Sequence, residues 1–290
     1  MISAEPVRHG RLELRDGREL AYAEFGDPDG RPMVLLHGNP GSRLICPEVD
    51  TTVSAGVRLV TFDRPGVGGS DPFPFHRLDD VADDLAELVD ALEIGPCPLI
   101  GWSGGGPYAL AASVRHPEHV TSVALVSASG RPDDPDVLAQ HTPEIEDLLS
   151  RLRQGSDDAF AVVESRFAFY GDDPLGMVRR ILAKEGHPDQ QLMRSAVVQE
   201  ALGAMWQEGA RQGSRGVAAG WVALWALPWG FDAGDVSRPV TAWHGTEDDV
   251  VPYEQAERHV ATIPGAHLHR IDGAGHLLAL EHWPQILADR

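Results

Sequence analysis

The sequence predicts an α/β protein: a mostly parallel, eight-stranded sheet flanked by helices, with a helical cap inserted into it. Three observations predict this. Short apolar runs alternate with amphipathic helical segments over the first 130 residues. Residues 131–235 then read as helix alone, and alternation resumes over 236–290. Glycine-rich turns close several of the apolar runs, as the ends of buried parallel strands do.

Taken in order, residues 11–15 and 19–25 flank the turn Asp16-Gly17 and read as an opening hairpin. Residues 32–37 (PMVLLH) and 57–63 (VRLVTFD) are buried strands. Residues 79–92 place Val81, Leu85, Leu88, Val89 and Leu92 on one face of a helix. Residues 98–102 are a strand, 105–114 a helix and 120–127 (VTSVALVS) a strand. Candidate helices follow over 144–152, 159–169, 176–184, 190–206 and 216–227. Strands at 239–244 and 267–271 alternate with helices at 254–263 and 277–287. The expected domains are therefore a core of residues 1–130 and 236–290 and a cap of residues 131–235. An insertion of that length inside a compact domain is usually functional, often a lid.

Composition excludes several classes. The 290 residues suit one domain with an insertion, and 42% apolar residues are too many for a disordered chain. No apolar run approaches the roughly 20 residues that span a bilayer. The first residues, MISAEPVRHGRLELRDG, hold no apolar stretch of a secretion signal, so a cytoplasmic protein is expected. A net charge of −20 argues against nucleic acid as a partner and disfavours anionic substrates unless a local Arg compensates. The expected partner is a small-molecule substrate, with no membrane, for a monomer or homodimer. Cys46 and Cys97 read as small buried apolar residues.

The chemistry sits at strand ends. Gly101-Trp102-Ser103-Gly104-Gly105 fits G-x-S-x-G between a strand and a helix. That context demands a turn sharp enough to hold the serine in a strained conformation. A serine hydroxyl needs a base. His276, in the loop Gly273-Ala274-Gly275-His276 after the last strand, is the candidate among 13 histidines. Asp248, from the three adjacent acids Glu247, Asp248 and Asp249, is the candidate to orient that imidazole. An oxyanion needs preorganised N–H donors. The Gly104 backbone is one. The other comes from His37-Gly38-Asn39-Pro40-Gly41, where Pro40 has no N–H and Asn39 is the natural donor.

These segments resemble the α/β-hydrolase superfamily over nearly the whole chain. HGNPGS resembles its oxyanion loop, FDRPGVGGSD (62–71) its turn after the fourth strand, and GWSGGG its nucleophile elbow. HGTEDDVVP resembles its acid loop and GAGH its histidine loop. The resemblance implies a Ser103–His276–Asp248 triad acting through an acyl-enzyme, without metal or organic cofactor. Relatives that break halogen–carbon bonds or epoxides place Asp where this chain has Ser103. Carbon–carbon bond hydrolases usually carry Met, and proline iminopeptidases Trp, where it has Gly104. Hydrolysis of a small, largely uncharged ester or lactone is the reading these residues favour. The alternatives are an aminopeptidase or amidase, a carbon–carbon bond hydrolase, and a non-enzymatic ligand receptor.

Specificity is expected in the cap. Trp221 and Trp225 are four residues apart on one helix face, with Trp229 beyond Pro228 and Trp206 on the preceding helix. With Trp102, these rings are the expected substrate-binding residues, although aromatic rings at such spacing also build cores. Cap carboxylates Asp157, Asp158, Glu164, Asp172 and Asp173 are the groups that an aminopeptidase would use to hold an amine. Arg43 and Arg64 are expected in structural ion pairs, and His37 and His244 as braces of their loops.

Overall fold

A computed structural model describes residues 1–289. Eight strands form one sheet in the order β1-β2-β4-β3-β5-β6-β7-β8. They are β1 (Arg8–Glu13), β2 (Glu19–Gly26), β3 (Arg31–Leu36), β4 (Val57–Phe62), β5 (Cys97–Trp102), β6 (Val120–Val126), β7 (Val240–Gly245) and β8 (His267–Ile271). β2 runs antiparallel to β1 and β4, and all other pairs are parallel.

Side-chain alternation along each strand divides the core in two. Val34 and Leu36 of β3, Val60 and Phe62 of β4, Leu99 of β5 and Leu125 of β6 lie on one face. They pack against α2 (Leu78–Ala91) and α3 (Gly105–Arg115), whose Val81, Leu85, Tyr108 and Ala112 are buried there. Met33, Leu35, Leu59, Ile100, Ala124 and Val126 point the other way. That face is covered by α13 (Ala279–Ala288), through Trp283 and Ile286, and by part of the insertion. Each such side chain contributes about 1.5–3 kcal/mol on leaving water. Central strands buried on both faces explain why β3 to β6 read as continuous apolar runs.

Helix α1 (Val49–Ser54) follows β3, and α12 (Tyr253–Ala261) links β7 and β8. Between β6 and β7 lie α4 (Pro135–Leu138), α5 (Pro143–Arg153), α6 (Asp157–Arg166), α7 (Ala168–Asp172), α8 (Gly176–Leu182), α9 (Pro188–Met193), α10 (Ala196–Gly209) and α11 (Arg215–Trp225). Segment 190–206, expected as one helix, is broken before α10. Ser195 is extended (φ −70°, ψ 123°), and the Gln199 side chain donates to the Met193 carbonyl at 2.9 Å. Segment 159–169 divides at Phe167, which leaves helical geometry (φ −100°, ψ 4°). The short helices α1 and α4 are too brief for an amphipathic period to show. No helix among the described residues is long and apolar enough to cross a membrane.

Trp229 lies in the core, not at a ligand surface. It is 8% exposed, donates its Nε1 proton to the Leu224 carbonyl at 3.0 Å, and packs on Phe231 and His259. Trp229→Ala is expected to lower the unfolding free energy in urea by about 3–5 kcal/mol. A loss below about 1 kcal/mol would contradict the placement.

Candidate active site

The strand order reverses at β3: the chain steps from β3 to β4 on one side and later to β5 on the other. Open α/β sheets place their ligand crevice at such a point, beyond the carboxyl ends of the strands. Ser103 follows β5 there. Its φ is +54°, the left-handed region that an L-residue occupies only when its surroundings compel it. Its N–H donates to the Val126 carbonyl at 2.9 Å, and its carbonyl accepts from Gly106 and Ser129 at 3.0 Å each. These three bonds over-determine the turn. A Cβ at Gly105 would stand 2.1 Å from the Leu36 carbonyl oxygen, so only glycine lets α3 start this close to β3.

Three side chains from three strand ends meet. His276 Nε2 lies 3.0 Å from Ser103 Oγ, and His276 Nδ1 lies 2.8 Å from Asp248 Oδ2. Asp248 is buried, and its Oδ1 accepts the N–H groups of Val250 and Val251 at 2.9 Å each. The neighbouring acids Glu247 and Asp249 are exposed. His244 braces this loop: its Nε2 lies 2.8 Å from the Val251 carbonyl and 3.3 Å from Asp248 Oδ2. Burial pushes the Asp248 carboxyl up, but His276 and His244 outweigh burial and hold it well below the usual carboxylate range. Burial likewise pushes His276 down. The charge and hydrogen bond of Asp248, with the charge of Asp189, outweigh burial and the opposing Lys184, and its pKa rises above 6.5.

The loop after β3 faces Ser103. A Cβ at Gly104 would lie 3.2 Å from the Asn39 nitrogen, so the two backbone N–H groups are neighbours. Among the described residues, neither donates to a protein acceptor. Buried Arg64 stands behind the loop, donating to the His37 carbonyl at 2.5 Å and the Gly38 carbonyl at 2.8 Å. A planar peptide with its Gly38 carbonyl held by Arg64 must turn the Asn39 N–H the other way. Among the described residues Arg64 has no carboxylate partner; its guanidinium instead lies 4.8 Å over the Tyr108 ring. The expected ion pair is thus replaced by two carbonyls and an aromatic face. Arg43 does form one, with Asp63 and Glu208. Burial and the Arg64 charge hold His37 well below its ordinary pKa, and its Nδ1 contacts the Gly38 carbonyl at 2.8 Å.

A cavity of about 260 Å³ opens over Ser103. Gly38, Asn39, Pro40, Trp102, Val250, His276 and Leu277 line it from the core. Met177, Arg180, Ile181, Lys184, Asp189, Leu202, Met205 and Trp206 line it from the insertion. Of the five tryptophans expected around a substrate, Trp102 and Trp206 line this cavity, and Trp221, Trp225 and Trp229 do not. Trp221 and Trp225 instead line a separate groove with His141, Ile145 and Leu148. The side of α11 turned to the site carries Gly220 and Leu224. A Cβ at Gly220 would stand 2.7 Å from Asn39 Oδ1, and Asn39 Nδ2 donates to the Val217 carbonyl at 3.0 Å.

Asp189 is a site residue that sequence reading missed. From α9 it accepts the N–H groups of His276 at 3.1 Å and Leu277 at 2.9 Å, fixing the histidine loop to the insertion. No local pattern announces it, because its partners lie 87 and 88 residues away. Asp189 also approaches His187 and Asp249, but such a group is poorly free to hold a metal. His187 Nδ1 accepts from the Asp189 N–H, His187 Nε2 faces the Glu247 carbonyl, and Asp249 pairs with Lys184.

Fold and site together define a hydrolase built on a strand–serine–helix turn. The matching family model, alpha/beta hydrolase fold, spans residues 31–282, and the chain belongs to that family. It is 29% identical over 285 residues to a non-heme chloroperoxidase of Streptomyces lividans, covering 96% of each chain. It is also 29% identical over 255 residues to a pimeloyl-[acyl-carrier protein] methyl ester esterase of Aromatoleum aromaticum, covering 86% of this chain and 92% of that one. A crystal structure of a hydrolase from Pseudomonas aeruginosa PA01 superposes with a TM-score of 0.70 at 21% identity, covering 98% and 97%.

His276 is expected to titrate above 6.5 in the free protein, and Asp248→Asn to move its midpoint downward, since burial then acts without the opposing charge. Proton NMR of the imidazole measures both. A midpoint that rises or stays fixed in the variant would contradict this electrostatic account.

Proposed function

We propose that this protein is a serine hydrolase that cleaves small carboxylic esters or lactones through an acyl-enzyme. The observation that carries the reading is the unbroken contact from Ser103 Oγ through His276 to Asp248, at 3.0 and 2.8 Å. In this reading His276 Nε2 takes the Ser103 proton as Oγ attacks the ester carbonyl carbon. The N–H groups of Asn39 and Gly104 hold the oxyanion. As the intermediate collapses, the imidazolium returns its proton to the leaving alkoxide, and the acyl group remains on Oγ. Water, deprotonated by the same imidazole, then releases the acid and restores Ser103. Asp248 stays ionised and stabilises the imidazolium. The insertion serves as a cap that excludes water from the cavity.

An ester suits the cavity better than an aminoacyl amide. Asp157, Asp158, Glu164, Asp172 and Asp173 are not among its lining residues, and Glu164 pairs with Arg215. The one lining carboxylate, Asp189, is committed to two backbone N–H groups, so an ammonium group has no open partner there. Apolar Met177, Ile181, Leu202, Met205, Trp206 and Leu277 instead favour a hydrocarbon body next to the scissile bond. The unpaired cysteines Cys46 and Cys97 suit a reaction in the cytoplasm.

Ser103→Ala should fold normally, lose labelling by a fluorophosphonate and lower ester kcat by roughly 10⁶-fold. Near wild-type turnover in that variant would sink the reading. Asn39→Ala keeps its backbone N–H, so its kcat should fall by much less than the roughly 10²–10³-fold of a lost oxyanion donor. With an activated ester, kcat/KM should fall as pH drops through the raised pKa of His276, because the imidazolium cannot accept a proton.

A further inference from the structure

The cavity wall contributed by α8 is not uniformly apolar. Met177, Arg180, Ile181 and Lys184 follow one another at intervals of three, one and three residues, and all four line the cavity. Met177, Arg180 and Ile181, at spacings of three and four, share one face of α8, and Lys184 follows in the turn just past its end. This part of the wall mixes apolar and cationic groups, and Lys184 is the one lysine of the chain. The lining thus carries two cations in a protein with a net charge of −20.

The three charged residues of the lining differ in what they have left to offer. Lys184 is bound to Asp249 Oδ1 at 2.7 Å. Asp189 is closed by the His276 and Leu277 N–H groups and lies 3.8 Å from His187. Arg180 is exposed and has no hydrogen bond or ion pair among the described residues. Its guanidinium carbon lies over the Phe169 ring, 3.9 Å from the centroid. A guanidinium held over a ring face by cation–π attraction spends none of its N–H groups on that contact. Those groups form the fork that binds a carboxylate through two hydrogen bonds. The neighbouring Arg179 is not available in the same way, since it pairs with Asp173.

Charge at a distance does not cancel this. Screening limits the field of the acidic surface to roughly 8–10 Å at ordinary ionic strength, so the nearest cation governs a ligand at the cavity. Size sets the reach. At about 30 Å³ per water-sized group, 260 Å³ holds on the order of nine such groups. That suffices for a scissile ester and a few methylenes.

We infer that Arg180 receives a carboxylate at the far end of the substrate, so that the ester or lactone opened at Ser103 carries a free carboxylate a few carbons from the scissile carbonyl. This rests on the hydrolase reading above and names the substrate class within it. Half-esters of short dicarboxylic acids are the simplest members. The hydrocarbon lies along Met177, Ile181 and Leu202, and the charge emerges at Arg180.

The test compares monomethyl glutarate and monomethyl adipate with their neutral dimethyl esters, on wild type, Arg180→Gln and Arg180→Lys. The wild type should prefer the half-esters in kcat/KM. Arg180→Gln should reduce that preference about 10- to 100-fold, chiefly through KM, as expected for a charge-assisted hydrogen bond of this kind. Arg180→Lys should restore part of it. Glutarate itself should slow fluorophosphonate labelling of Ser103 in the wild type more than in Arg180→Gln. No preference in the wild type, or an unchanged ratio in Arg180→Gln, with Ser103 still labelled, overturns this inference alone. A Ser103 that is not labelled at all overturns the hydrolase reading, and the inference with it.

Discussion

Helix α3 begins so close to the carboxyl end of β3 that nothing larger than a hydrogen fits between Gly105 and the Leu36 carbonyl. The rest of the site depends on this approach. It forces the turn at Ser103 into left-handed geometry and lifts Oγ above the sheet edge. It also brings the loop after β3 beside the first amides of α3, so that Asn39 and Gly104 become neighbours. Three backbone hydrogen bonds to Ser103 hold the strained turn, and the apolar packing of α3 on β3, β5 and β6 stabilises the whole arrangement.

Buried charge is used here for orientation. Asp248 would be costly inside the protein without partners. Two N–H groups and two imidazoles surround it, and the resulting field fixes both the position and the basicity of His276. Arg64 works on the opposite wall. A guanidinium buried without a carboxylate is costly unless its protons find acceptors, and the acceptors it finds are the loop carbonyls of His37 and Gly38. Holding those carbonyls turns the Asn39 N–H toward the site. Motif FDRPG and motif HGNPG are thus one structural unit, although 26 and 27 residues separate the bonded partners.

The insertion is coupled to the site at two points. Helix α11 packs Gly220 and Leu224 on the Asn39–Gly104 corner, and α9 lends Asp189 to the histidine loop. A displacement of these helices would therefore alter the chemistry as well as the cavity wall. Helix α8 makes no such bond to the serine, histidine or aspartate. It supplies side chains to the wall, and that leaves its sequence freer to suit a particular substrate.

The amino-acid sequence by itself determined the strands and most of the long helices, and it singled out the serine, histidine and aspartate that the structure brings within hydrogen-bond reach. These are legible because each rests on a local signal. Continuous apolar runs mark strands buried on both faces, a period near 3.6 marks α2, and glycines beside Ser103 mark a turn that larger residues would block. Only the tertiary structure decided which side chains surround a ligand. Trp221 and Trp225 share a helix face in sequence, but α11 presents Gly220 and Leu224 to the Asn39–Gly104 corner, and the two rings line a different groove. Trp229 lies in the core beside Leu224, whose carbonyl accepts its Nε1 proton. Asp189 and Arg180 look like ordinary polar residues of short helices until folding sets Asp189 against the His276 amide and Arg180 beside the cavity over Ser103. The direction in which a helix presents its side chains follows from how it packs, and packing is a property of distant residues that no local pattern encodes.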